Sequence, residues 1–213
     1  RVVGVYRWGL EEKTATANAA LTGLGRTRRI ILGDTMLRGY TQDEIVAVLA
    51  HEVGHYRHRD MTRLMVVGAL LALAGFYLAA RFLAWAVQRP VFSFANTADI
   101  GAFPLLIFAL FLFSLCTLPL SNAYARRREF AADAYAVRAM GSADPLVGAL
   151  DKLAAQNLAD RQPPAWIEFL LHSHPALARR MRRARELAAT LPSAERPVLF
   201  FSFSRLSRAA GCP

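Results

Sequence analysis

Cysteine, glycine and acidic residues are scarce in this sequence of 213 residues, and each shortage excludes a class of protein. The two cysteines, Cys116 in an apolar run and Cys212 near the end, exclude a disulfide scaffold. Thirteen glycines are too few for a collagen-like fibre, and a hydrophobic share of 54% excludes intrinsic disorder. Only 16 acidic residues oppose 26 lysines and arginines, which gives a formal net charge of +10. So basic and so apolar a chain must segregate its two kinds of residue.

The apolar residues are concentrated in two long windows that contain no charged residue, which separates them from the charged residues of the rest of the chain. The windows comprise residues 64–80 and 100–120. The second window makes a helix of about 31 Å, and the first reaches about 30 Å when it continues through Trp85, with Arg81 extending its charge to the membrane surface. We therefore predict a transmembrane helical hairpin over 61–121. Two buried helices of a soluble protein are disfavoured, because soluble helices this long seldom lack a polar face.

Two crossings return the chain to the side of the membrane on which it started, so the segments 1–60 and 122–213 can build one site together. The connecting loop carries two arginines, Arg81 and Arg89. More arginines flank the hairpin on the shared side: Arg57, Arg59, Arg63, Arg126, Arg127 and Arg128. The positive-inside rule then places the shared side in the cytoplasm. We expect an integral, multi-pass membrane protein.

The first part of the chain has the pattern of a small β-structure. From residue 2 to about residue 37 we expect short strands separated by glycine-containing turns. Two candidate strands, 18–22 and 29–32, form a hairpin through the turn at 23–25. The chain begins at Arg1 without an initiator methionine or a signal segment. We therefore expect residue 1 to be an internal boundary of a longer protein.

A helix follows the β-structure. Thr41 and Glu44 form a capping box, which begins a largely buried helix at 42–56. Further helices are predicted at 122–140, 144–158 and 175–189, with a break at 162–164.

The chemistry is concentrated in the sequence His-Glu-Val-Gly-His at 51–55. Residues i and i+4 share a helical face, so His51 and His55 can reach one tetrahedral metal ion while Glu52 addresses a water. The alternative is two histidines on a partly exposed helix face. Burying two histidines and a glutamate without a metal or a partner would be costly, and the apolar flanks of the motif favour burial.

A catalytic zinc site needs a third protein ligand. The best candidate is Glu129, with Asp133 one turn later, placed to accept a hydrogen bond from a ligating histidine. A solvated acidic pair among arginines is the alternative. His172 and His174 are also candidates, although His174 before Pro175 is better suited to donating to substrate. His58 lies three residues after His55, in the polar segment that flanks the predicted metal-binding helix, so we do not expect it to be a ligand.

Bound zinc would imply peptide-bond hydrolysis. The ion polarises the scissile carbonyl, Glu52 accepts a proton from the attacking water and passes it to the leaving amine, and a nearby donor stabilises the oxyanion. An extended peptide substrate could pair with the strand at 18–22, which includes Asn18. A different class remains open, a non-catalytic basic module that binds anionic lipid or, less readily, nucleic acid. It would use Arg179, Arg180, Arg182, Arg183 and Arg185.

Taken together, these motifs resemble the catalytic C-terminal part of the type I CAAX prenyl protease family, integral-membrane zinc metalloendopeptidases of the gluzincin group. The motifs are TANAALTGLG at 16–25, RIILGDT at 29–35, EIVAVLAHEVGH at 44–55, GFYL at 75–78, the pattern N…R…EFAAD at 122–133, and SHP at 173–175. The resemblance implies that His51, His55 and Glu129 bind one zinc ion and that Glu52 is the base. It makes Asp133 a partner of a ligand and His174 a substrate or oxyanion donor. Asn122, Arg126 and Arg180 become supporting polar residues.

The resemblance also implies a fold, a location and partners. We expect a mainly α integral-membrane protein in which a gluzincin-like domain with a small β-hairpin or sheet is interrupted by a two-helix transmembrane hairpin. The partners are the lipid bilayer and a peptide or protein substrate, possibly C-terminal and lipidated; no nucleic acid is expected. Ala125 and Ala176 depart from the family pattern of serine and proline. The related heat-shock membrane proteases, which degrade damaged membrane proteins, are the alternative branch.

Overall fold

The computed structural model describes residues 4–9, 19–23, 27, 29–92, 94–158 and 160–192. It divides into two compact units. Unit 1 comprises residues 1–58, 127–164 and 175–213, and unit 2 comprises residues 59–126 and 165–174.

Unit 1 begins with a three-stranded sheet of order β1-β3-β2. Strand β2, Ala19–Thr22, runs antiparallel to β3, Arg29–Gly33, so the predicted pairing of these strands is confirmed. The predicted turn at 23–25 lies outside the described residues beyond Gly23. Strand β1, Gly4–Trp8, pairs with β3 in parallel. A parallel neighbour needs a crossover connection rather than a tight turn, and no local turn signal announces it.

A short helix, α1 (Asp34–Gly39), follows β3 directly. The expectation that residues up to about 37 form only strands and turns is therefore wrong at this point. Met36 on α1 is buried against Ile30 and Leu32 of β3, and this packing favours a helical turn where the sequence carries no helix start signal of its own.

Helix α2, Gln42–Arg57, begins at the predicted capping box. The Glu44 amide donates to Thr41 Oγ1 at 3.3 Å, and the Thr41 amide donates to Glu44 Oε2 at 2.7 Å. These two bonds satisfy donors that a helix start otherwise leaves unpaired. The first residue of the metal helix is thus set by its own sequence.

Unit 2 contains the long apolar helices. Helix α3 covers Asp60–Val87, and α4 covers Phe103–Met140, continuing from unit 2 into unit 1 along the sequence. Among the residues that the structure describes, two helices are long and apolar enough to cross a membrane; 17% of the most apolar window of the first, and none of the second, is buried. A core helix of a soluble protein would be mostly buried, so this exposure supports a membrane location.

The separate helix predicted at 122–140 is instead the second half of α4. The helix continues through Pro119, which lies inside it. Apolar helices of membrane proteins tolerate an internal proline because neighbouring groups satisfy the freed carbonyl. The predicted start of a separate helix at residue 122 is therefore wrong.

Three further α-helices follow α4 in the described part of the chain. They are α5 (Asp144–Gln156), α6 (Ala165–Leu171) and α7 (Leu177–Thr190). Helices α5 and α7 confirm the predicted helices, whereas α6 was not predicted because seven residues carry too little periodic signal.

The core of unit 1 brings α2 against the end of α4, and α5 and α7 pack on the same cluster. Its buried residues include Ala47, Ala50, Ala136, Val137, Leu146, Leu150, Met181 and Ala184. Small side chains on α2 and α4 let the two backbones approach closely. This approach determines the geometry of the site.

Candidate metal centre

His51 and His55 lie one turn apart on α2, with their Nε2 atoms 3.1 Å from each other. Glu129 on α4 completes the group. Its Oε1 atom lies 3.3 Å from His55 Nε2, and its Oε2 atom lies 3.7 Å from His51 Nε2. One ligand atom from each residue falls within 4.8 Å of the other two. Three potential ligands therefore converge on one point.

These separations fit a tetrahedral zinc site. Ligands bound about 2.0–2.1 Å from zinc in tetrahedral geometry lie about 3.3 Å apart. Two imidazole nitrogens and a carboxylate are donors that zinc accepts, and three protein ligands leave the fourth position open for a reacting molecule. The residues present thus fit the metal that the sequence predicts.

Asp133 fixes the orientation of one ligand. Its Oδ1 atom lies 2.9 Å from His51 Nδ1. A proton on Nδ1, donated to the carboxylate, leaves the Nε2 lone pair free to bind metal. Asp133 follows Glu129 by one helical turn, so one face of α4 supplies both a ligand and the partner of a ligand.

Arg180 on α7 joins the two carboxylates. Its Nε and Nη2 atoms donate to Asp133 Oδ2 at 2.8 Å and Oδ1 at 2.7 Å, and Nη1 lies 3.3 Å from Glu129 Oε2. Burial alone would lower the pKa of Arg180, but Asp133, Glu129 and Glu52 raise it above its ordinary value. The guanidinium therefore stays charged and holds both side chains in place.

Glu52 lies next to His51 on α2 and is half-buried. Its charge is one of those that raise the pKa of Arg180. The side chain keeps access to solvent while its neighbours are enclosed. This combination suits a group that exchanges protons with water.

Gly54 was quoted in the motif but given no role by the sequence analysis. A Cβ atom added at Gly54 would lie 3.0 Å from Ala132 Cα and 3.1 Å from Tyr135 Cβ. Glycine is thus required where α2 meets α4, one turn from the ligands. The available signal was a glycine in the middle of a helix, which costs stability and usually has a packing reason.

Other predicted residues lie outside this cluster. Asn122, Arg126 and His174 belong to unit 2, where Asn122 and Arg126 donate to backbone carbonyls and His174 is exposed. His58 is half-buried and meets Tyr135 edge to face, as expected for a residue that is not a ligand. Asn18 falls outside the described residues.

Comparison with known proteins identifies the family. The description "Peptidase family M48" matches residues 6–188, which is most of the chain. The chain belongs to peptidase family M48. The metal ion expected at His51, His55 and Glu129 agrees with this M48 membership.

Individual relatives of this M48 chain carry several names. The uncharacterized metalloprotease YhfN of Bacillus subtilis is 32% identical over 84% of this chain and 43% of its own length. Protease HtpX of Hahella chejuensis is 30% identical over 78% and 60%. The CAAX prenyl protease 1 homolog of Arabidopsis thaliana is 31% identical over 80% and 40%. The M48 chain thus spans about half the length of these relatives.

A solved structure agrees with the fold. The crystal structure of S. mikatae Ste24p superposes on this M48 chain with a TM-score of 0.71 and 26% identity, covering 84% of this chain and 44% of the other. The resemblance to the CAAX prenyl protease family and the expected fold class are confirmed. The structure adds a third strand and a longer α4 to that fold.

Proposed function

We propose that this chain is the catalytic part of a membrane-embedded zinc metalloendopeptidase. The observation that carries the proposal is the convergence of His51, His55 and Glu129, with Asp133 and Arg180 bonded behind them. Such a network is expensive to bury without a bound cation, because two carboxylates and two imidazoles compete for the charge of one guanidinium.

His51, His55 and Glu129 would hold the ion. When bound, zinc would supply Lewis-acid chemistry, polarising the scissile carbonyl and acidifying a water. Glu52 accepts the proton of the attacking water and donates it to the leaving amine. His174 donates a hydrogen bond to the substrate or to the developing oxyanion. Asp133 and Arg180 keep the ligands aligned throughout.

The edge strand β2 offers a place for the peptide. In the part of the chain that the structure describes, β2 pairs with β3 on one side only. An extended substrate can add to the other edge through main-chain hydrogen bonds. Asn18, immediately before β2, would contact that substrate. An unfolded or extended peptide segment is therefore the substrate class.

The relatives suggest the kind of substrate, and the arginines that flank the predicted hairpin suggest the side of the membrane. The name of the Arabidopsis relative, CAAX prenyl protease 1 homolog, suggests a prenylated substrate. Degradation of damaged membrane proteins is the alternative role. We favour the prenyl-protease branch because of the TGLG, GFYL and SHP segments. The protein crosses the membrane more than once, and the positive-inside rule assigns the metal site to the cytoplasmic side.

Two variants test the chemistry. Glu52→Gln should abolish peptide cleavage, followed by mass spectrometry of the products, while the protein retains one zinc ion per chain. Glu129→Gln should lose the zinc itself. Glu186→Gln, an exposed glutamate on α7, is the matched control and should change neither property. Cleavage by the Glu52→Gln protein would exclude Glu52 as the base.

A second experiment addresses the substrate. A farnesylated C-terminal CAAX peptide, the same peptide without the lipid, and an unfolded membrane protein are offered to the zinc-loaded protein. Preference for the farnesylated peptide supports the prenyl-protease branch. Preference for the unfolded membrane protein supports the quality-control branch.

A further inference from the structure

The C-terminal end of α6 is held by side chains from α4 within unit 2. Helix α6 has seven residues, which is too short for a stable isolated helix. The last carbonyls of any helix lack partners within the helix. In α6 these carbonyls accept hydrogen bonds from Asn122 and Arg126, which lie one turn apart on α4.

Four hydrogen bonds, to carbonyls between residues 168 and 172, define this contact, which we call the carbonyl clamp. Asn122 Nδ2 donates to the Leu170 carbonyl at 2.7 Å. Arg126 Nη1 lies 2.9 Å from the Glu168 carbonyl, 3.4 Å from that of Phe169 and 2.7 Å from that of His172. Asn122 and Arg126 are both buried.

The clamp extends beyond the helix to the segment that follows it. The shortest Arg126 bond ends on the carbonyl of His172, the first residue after α6. Ser173 and His174 come next and are exposed. With the His172 carbonyl fixed, the backbone has few torsion angles left between the clamp and the His174 side chain.

Arginine suits this position for two reasons. A cation near the C-terminus of a helix is favoured by the negative end of the helix dipole. A guanidinium also carries several N–H donors in a rigid plane, whereas an ammonium is a point charge on a flexible stem. A buried cation is costly unless it is hydrogen-bonded, so the three bonds to carbonyls help to hold the buried Arg126 side chain in place.

We infer that Asn122 and Arg126 are positioning residues that hold the 172–174 segment so that His174 can donate to the substrate. The inference rests on the role given to His174 under Proposed function. It assigns to Asn122 and Arg126 a specific task, acting through the backbone of His172 and not on the metal.

The test measures structure and kinetics on the zinc-loaded full chain. Arg126→Ala and Asn122→Ala should speed amide hydrogen exchange in residues 168–174 and lower kcat, with KM and zinc content unchanged. A displacement of about 1 Å can cost about 100-fold in rate, which is the loss expected for Arg126→Ala. Arg126→Lys, which keeps a cation, should recover part of both effects.

A double-mutant cycle separates positioning from general stabilisation. In a His174→Ala background, Arg126→Ala should cause no further loss of kcat, because both changes remove the same interaction. Arg127→Ala, at an exposed neighbouring arginine, is the control and should leave exchange and kcat unchanged.

Three results would overturn the inference. They are unchanged exchange in 168–174, an additive loss of kcat in the His174→Ala background, and zinc loss in Arg126→Ala. Full kcat in His174→Ala alone would refute the role proposed for His174. Exchange in 168–174 would then still decide whether the clamp holds the segment, so the two failures are distinguishable.

Discussion

Unit 1 encloses a cluster of opposite charges, whereas the long helices of unit 2 expose runs of apolar side chains. In unit 1, Glu129 is 7% exposed and Arg180 is 6% exposed, each in contact with opposite charge. In unit 2, Leu73 is 68% exposed and Phe76 is 60% exposed. Water would penalise such a surface on unit 2, and lipid would not. The two units are thus suited to different solvents.

The buried side chains Asp133, Asn122 and Arg126 bond to different kinds of partner in the two units. In unit 1, Asp133 receives two hydrogen bonds from Arg180, so charge meets charge. In unit 2, Asn122 and Arg126 meet neutral backbone carbonyls. Unit 1 therefore uses its buried charges to keep the metal-binding side chains in a fixed arrangement. In unit 2, the side chains of Asn122 and Arg126 instead hold the backbone of α6 in place.

The largest loss of stability in unit 1 should come from removing the Arg180 guanidinium, which joins Glu129 and Asp133. Arg180→Met should lower the free energy of unfolding of the metal-free protein by about 3–5 kcal/mol, because Asp133 is left buried without its cation. Denaturant unfolding in detergent measures the change. Arg182→Met removes an exposed arginine from the same helix and should cost about 1 kcal/mol or less. Equal costs for the two variants would contradict the buried-cluster interpretation.

Leu73 and Leu158 are both exposed, so replacing each with arginine tests whether unit 2 faces lipid while unit 1 faces water. Leu73→Arg in unit 2 should reduce membrane insertion by about 2.5–3.5 kcal/mol, because a charge at the centre of a membrane helix is costly. Leu158→Arg in unit 1, at a leucine that is 94% exposed, should change nothing. The fraction of protein resisting carbonate extraction measures insertion. If both variants insert equally well, unit 2 does not face lipid at Leu73.

Two glycines test close packing. Gly54→Ala should destabilise unit 1 by about 1–3 kcal/mol, since the new methyl group meets the backbone of Ala132, and it should weaken zinc binding by separating α2 from α4. In unit 2, Gly68 has no neighbour within 4 Å of an added Cβ, so Gly68→Ala should be neutral or slightly stabilising. Chelator competition reports zinc affinity. Unchanged affinity in Gly54→Ala would show that the glycine has no role in the site.

The smallest effect concerns the start of the metal helix. Burial would raise the pKa of Glu44, but hydrogen bonds from Lys152 and Thr41 hold it below its ordinary value of 4.5. A lowered folded pKa adds stability above pH 4.5 that disappears as the pH falls through the folded value. Glu44→Gln keeps the capping box and removes the titration. Its stability should be lower than that of the wild type at pH 7, by about 1 kcal/mol or less, and equal at low pH.

That stability difference is measured as the unfolding midpoint of the two proteins between pH 3 and pH 7. A constant difference across this range would mean that the Glu44 carboxylate gains nothing from Lys152.

Local features of the fold could be predicted, and non-local ones could not. The capping box at Thr41 and the apolar windows depend on neighbours within a few residues, so both can be recognised in the sequence. Strand β1 and helix α6 depend on partners far along the chain, β3 for one and Asn122 with Arg126 for the other. The continuation of α4 through Pro119 could not be predicted, because the cost of a proline inside a helix depends on the surroundings of the helix.

The sequence by itself determined the spacing of His51 and His55, because 3.6 residues per turn places positions i and i+4 on one face. It also determined the position and polarity of the two windows without charged residues. Only the tertiary structure decided which acidic residue meets the histidines, that Arg180 bonds to Asp133 from 47 positions away, and that Gly54 allows the approach. Helical periodicity acts within one segment, whereas the approach of two helices depends on side-chain volumes supplied by both.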